Sequence, residues 1–140
     1  MRSDRAACPT AAAPCSIPDA DHERVDVSGP QPRAVRRIKT GEGAHAFRSL
    51  GDGRHLLVSN RVANTISRID LQTLAVVATY TAPGGPDCMD VTADGKFILV
   101  ASRWAKKLSV IDMASNKVVQ QVKVGKSPHG VWTLQHAPRN

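Results

Sequence analysis

His45, Asp87 and His129 stand 42 residues apart, and then 42 again. Two imidazoles and a carboxylate form a ligand set that suits zinc, copper or iron, and the same groups can act as an acid and base. In the same repeating frame come Arg61, Arg103 and Trp104, with the two arginines again 42 apart. Guanidinium groups of this kind suit a small anionic ligand. These six residues are the candidate site. One use is a transition metal on His45, Asp87 and His129; a second is an anion held without any chemistry done on it. The third is no ligand at all, since His and Asp are ordinary residues of polar turns that meet water. The sequence carries no serine nucleophile motif, phosphate-cradling glycine loop or HExxH segment. No residue is therefore given a catalytic role, no cofactor beyond that metal is implied, and a non-enzymatic function is the first reading.

A spacing that recurs without drift implies a repeated structural unit. GDGRHLLVSN, from Gly51 to Asn60, matches ADGKFILVAS, from Ala93 to Ser102, at an offset of 42. At the same offset NTISRIDLQTLAVV, from Asn64, matches KKLSVIDMASNKVV, from Lys106. Each unit reads as four short strands, in the second copy near residues 88–92, 96–102, 107–112 and 117–124. Asp94-Gly95 supplies a tight hairpin turn, because glycine tolerates positive φ and Asp bonds its own backbone. Phe97-Ile98-Leu99-Val100 is apolar on both faces, which suits a strand sandwiched between two sheets. Asp70 and Asp112 end third strands and are expected to bond turn backbone. Four strands per repeat of about 40–45 residues is the pattern of a β-propeller blade.

The repeats resemble the YVTN-type β-propeller family, related in architecture to WD40-like repeats. The likeness rests on Asp52-Gly53, Leu57-Val58-Ser59-Asn60 and Asn64-Thr65-Ile66-Ser67-Arg68-Ile69-Asp70, and on Asp94-Gly95 and Leu108-Ser109-Val110-Ile111-Asp112 in the second copy. It departs from the family where the strand-end tetrapeptide is degenerate and where Arg68 replaces the valine of the second copy; Arg68 is expected to snorkel at a blade edge. The resemblance implies an all-β propeller fragment with two complete four-stranded blades, over about residues 44–82 and 86–124. One outer strand, Arg33–Lys39, comes before them and one inner strand, Val131–Leu134, after. In such blades the connections into first strands and those between second and third strands open on one mouth of the central channel. That mouth gathers all six candidate residues. A family with surface-layer, lactonase-like, quinoprotein and haem-dependent members leaves function open. It allows a ligand- or protein-binding scaffold, or a piece of a periplasmic redox or hydrolytic enzyme, and a periplasmic or extracellular setting.

Half or less of a ring of about 4–8 blades is present, so the chain reads as part of a longer propeller. Residues 1–32, rich in Pro and Ala, match no repeat and are expected to form a disordered tail. No apolar segment there is of the kind a secretory signal needs. The formal charge of +7 is scattered, with neither a basic stripe nor stacking aromatics, which argues against nucleic acid. No stretch is long and apolar enough to span a membrane. Cys8, Cys15 and Cys88 are too few and too irregular for a disulfide framework or a metal clasp. His22, His55 and His136 fall outside the repeating frame and are expected at the surface. Open sheet edges predict self-association.

Overall fold

The computed structural model describes residues 21–133, with side chains from Asp26 onward. Among these residues there are ten strands and no helix. The first full blade comprises β3 (Ala44–Ser49), β4 (His55–Asn60), β5 (Thr65–Asp70) and β6 (Ala75–Thr81); the second comprises β7 (Pro86–Val91), β8 (Phe97–Ser102), β9 (Lys107–Asp112) and β10 (Lys117–Lys123). Each is an antiparallel meander in which sequence neighbours are sheet neighbours. The hairpin turns form as the sequence implies. Gly53 and Gly95 both take φ +68°, and Asp52 and Asp94 accept from the backbone N–H two residues on, at 2.9 and 3.1 Å.

The outer strand expected before the first blade is β2 (Arg33–Lys39), but it is not alone. Asp21–Asp26 forms β1 and pairs antiparallel with it, from Asp21 opposite Lys39 to Asp26 opposite Arg33. Of the tail expected to be disordered over residues 1–32, residues 21–26 are thus a strand; residues 1–20 lie outside the described part, with Cys8 and Cys15. The β1–β2 pair repeats the third and fourth strands of a blade. Asp26, Asp70 and Asp112 each end a third strand and accept from the N–H two residues on, at 3.0, 2.8 and 3.0 Å. In all three pairs the fourth strand carries one extra residue at the same place, Val35, Val77 or Val119. After β10, Val131–Thr133 occupies the place expected of an inner strand: His129 C=O accepts from Cys88 N–H (3.2 Å) and Thr133 N–H donates to Asp90. Among the described residues no further strand pairs with it; Leu134 and His136 lie outside them.

The core lies between blades rather than within them. A strand in the middle of a blade has two faces, and each must be covered by a neighbouring sheet. Leu57, Ile66 and Tyr80 of the first blade pack with Met89, Val91, Ile98, Val100 and Ile111 of the second. Leu56, Val58 and Ile69 point the other way, toward Ile38 of β2. That alternation explains why β4 is apolar on consecutive positions. Asn116 stitches the rim, donating to Thr79 C=O and accepting from Thr81 N–H on the outer edge of β6, each at 3.0 Å.

Candidate functional site

The first strands β3 and β7 position the site, and both are bulged. Ala44 stands opposite Asn60 and Phe47 opposite Val58, so three steps on β3 match two on β4. The same irregularity falls between Pro86 and Met89. One extra residue reverses the alternation of side chains. Residues three apart, which a regular strand sends to opposite faces, thereby come to one side: His45 with Arg48, and Asp87 with Asp90. The geometry bears this out, since both aspartates reach back to the preceding blade and forward to the segment after β10.

Asp87 is the centre of the cluster and is fully buried. His45 Nε2 lies 2.9 Å from its Oδ1, and His129 Nε2 lies 3.7 Å from the same oxygen. Arg61 donates through Nη2 to Oδ2 at 2.8 Å, and Arg103 through Nη1 at 3.3 Å. Arg103 also donates through Nε to Ser127 Oγ at 2.9 Å. The two imidazoles meet edge to face, with centroids 6.3 Å apart. Four of the six candidate residues thus converge on the carboxylate of a fifth, Asp87. Trp104 does not touch it; the indole lies on the rim against Gly85, where an added Cβ would come within 2.4 Å of its Cδ2. Gly85 has φ +68°, which a side chain would also resist.

Charge governs what this cluster does. Burial alone would push Asp87 up, but Arg61, His45, His129 and the Arg103 hydrogen bond outweigh it and hold the carboxyl below its usual range. His45 is also shifted down, which for an imidazole favours the neutral form. Burial first, then the charge of Arg61, lowers it from 6.5 against the pull of Asp87. The ring is therefore neutral at neutral pH, and its Nε2–H donates to Asp87. Burial raises the Cys88 thiol, with Asp87 adding to the rise, so it stays protonated although its Sγ lies 3.8 Å from His129 Nδ1.

Three steps along the first strands a second cluster forms, which the sequence reading missed. Arg48 donates through Nε to Asp90 Oδ1 at 2.8 Å, while Thr133 donates to Oδ2 through its N–H (2.8 Å) and hydroxyl (2.9 Å). Arg48 also lies over the Trp132 ring, 5.9 Å from its centroid. Arg48, Asp90 and Trp132 stand at offsets of 42, so the signal was there; their differing types did not suggest one set. Away from the mouth, His55 is no open surface residue. Its Nδ1 lies 2.5 Å from Asp52 Oδ2, and Arg68 reaches within 3.5 Å of its Nε2 instead of snorkelling outward.

Four-stranded meanders stacked face to face around inner strands that carry a polar mouth define a β-propeller. The chain matches the family model described as YNCE-like beta-propeller over residues 16–139, and it belongs to that family. Hydrazine synthase of Kuenenia stuttgartiensis is similar in structure, at 27% identity and a TM-score of 0.59, over 63% of this chain and 25% of that one. Dihydro-heme d1 dehydrogenase NirN in complex with DHE is similar at 23% identity and 0.59, over 74% and 23%. Apo AztD from Citrobacter koseri is similar at 17% and 0.58, over 76% and 29%. The last two show the fold alone. The chain spans less than a third of the length of each of these structures. No curated protein matches its sequence.

Proposed function

We propose that the chain is a propeller scaffold whose channel mouth binds a small anion. The observation that supports this most directly is the convergence of Arg61 and Arg103 on one buried carboxylate oxygen. Two fixed cations against one anion leave positive charge in excess without any contribution from the imidazoles. Each guanidinium has five N–H donors, and Asp87 takes only one from each. The Arg61 Nε is buried without an acceptor. A carboxylate or phosphate group supplies both the charge and the acceptors.

The test is calorimetric titration of the full chain with inorganic phosphate at low salt. We expect saturable binding that weakens with added chloride, and Arg61→Gln or Arg103→Gln each to reduce affinity about tenfold, the worth of one charge-assisted hydrogen bond. No heat into the millimolar range rejects the reading. Binding has a pH signature as well. As pH falls through the depressed value of His45, which lies below 6.5, the ring gains a proton, and with it a second donor and a positive charge beside Arg61, Asp87 and His129. Affinity rises in that window, and His45→Gln removes the rise. Without ligand the sign reverses. The unfolded chain takes the proton first, so acid lowers stability below 6.5, and urea unfolding with and without phosphate shows the two trends diverging.

The alternative is a metal- or haem-linked redox or hydrolytic enzyme. One observation favours it: ligand atoms of His45, Asp87 and His129 lie within 4.8 Å of one another. The charge argues against a cation there, since the carboxylate is already shared with two guanidiniums. Metal analysis separates the readings. A stoichiometric transition metal that His129→Ala removes favours the enzyme reading and sinks the anion site.

A further inference from the structure

We propose that the ligand at this mouth is an organic anion bearing a flat ring, and that Trp104 is the surface on which the ring lies. This rests on the anion reading and names its ligand class. The two blades provide an internal comparison. Arg61 and Arg103 are equivalent, and both reach Asp87. The next residue is Val62 in the first blade and Trp104 in the second, and each packs on the equivalent glycine, Gly43 or Gly85. Valine therefore satisfies the packing that this position requires. The indole adds area the fold does not use, for Trp104 remains 56% exposed.

The main chain under the indole is fixed: the Trp104 backbone N–H donates to Gly84 C=O and the Arg103 backbone N–H to Gly85 C=O, each at 2.9 Å. The ring, on the same hairpin that carries Arg103, rests against Gly85, two residues before Asp87 in the chain. His129, largely exposed and edge-on to His45, adds a second aromatic wall. An exposed indole on the residue after Arg103 favours a ligand that is apolar and flat at one end and anionic at the other. An inorganic anion has no use for the indole.

The experiment compares phenyl phosphate with inorganic phosphate on the full chain, wild type and Trp104→Val, the residue of the first blade. Isothermal titration gives both affinities, and quenching of tryptophan emission in a Trp132→Phe background reports contact with Trp104. We expect phenyl phosphate to bind about tenfold more tightly than inorganic phosphate and to quench Trp104. Trp104→Val should bring phenyl phosphate down to the level of inorganic phosphate, with an unchanged melting temperature. Equal affinity of the two anions for the wild type, or an equal loss of both in Trp104→Val, overturns the ring proposal and leaves the anion site standing. Failure of both anions to bind overturns the two together.

Discussion

Asp87→Asn is expected to destabilise the full chain by about 3 kcal/mol, read as a lower urea midpoint at unchanged slope. The carboxylate is wholly buried, and its four cationic or imidazole partners come from both blades and the segment beyond. Removing one member of a buried ion pair costs about 3–5 kcal/mol because the remaining charge has no counterpart. Here the cost falls at the low end, since Arg103 and His129 are 38% and 63% exposed and can turn to water; Arg61, at 19%, cannot do so as easily. Asparagine would also aim an amide N–H₂ or a weakened acceptor at the Arg61 Nη2 now 2.8 Å away. His129→Ala serves as the contrast, because an exposed partner at 3.7 Å is worth at most about 0.5 kcal/mol. A loss below about 1 kcal/mol for Asp87→Asn would mean that the cluster behaves as ordinary surface ion pairs. The mouth would then lack the rigidity that anion binding asks of it.

The fold was legible wherever the repeat kept its length. The offset of 42 located both blades and the outer strand before them, and strand bounds differ from the observed ones by a residue or two. It failed at β1, and the reason is a matter of turn length. The β5–β6 connection spans residues 71–74, whereas the β1–β2 connection spans 27–32, two residues longer. Arg24-Val25-Asp26 therefore matches Arg68-Ile69-Asp70 at an offset of 44, invisible to a comparison at fixed spacing. Allowing a gap in that hairpin would have found a third strand ending in the same turn-capping aspartate.

The site was legible by column and not by depth. Position in the repeat alone brought His45, Asp87 and His129 together, because equivalent residues of adjacent blades face one another across the interface. That the Arg48–Asp90 pair shares a side with His45 and Asp87 depends on a bulge, and no glycine or proline at positions 45–47 or 88–89 announces one. Strict alternation places residues three apart on opposite faces, so a regular strand could not have united the two tiers. What decides between a cation and an anion, the direction in which Arg61 and Arg103 extend, is a property of packing and not of sequence spacing.

The arrangement of the core supports a second large prediction, built on two leucines that the repeat makes equivalent. Leu57→Ala is expected to cost about 3 kcal/mol and Leu99→Ala about 1 kcal/mol, measured by urea unfolding. Both occupy the third position of a second strand, at an offset of 42. Leu57 is completely buried because the second blade covers it, through Met89, Ile98 and Val100 among others. Leu99 points away from that interface, between Ile98 and Val100 that face it, and is only partly buried. Deleting Leu57 opens a cavity that two sheets must share, whereas at Leu99 water can fill the space left. Similar losses at both positions would show that the blades do not pack through the face assigned to β4. The consequence would reach the mouth, because Asp87 finds Arg61 and His45 only when the second blade lies against the first in this register.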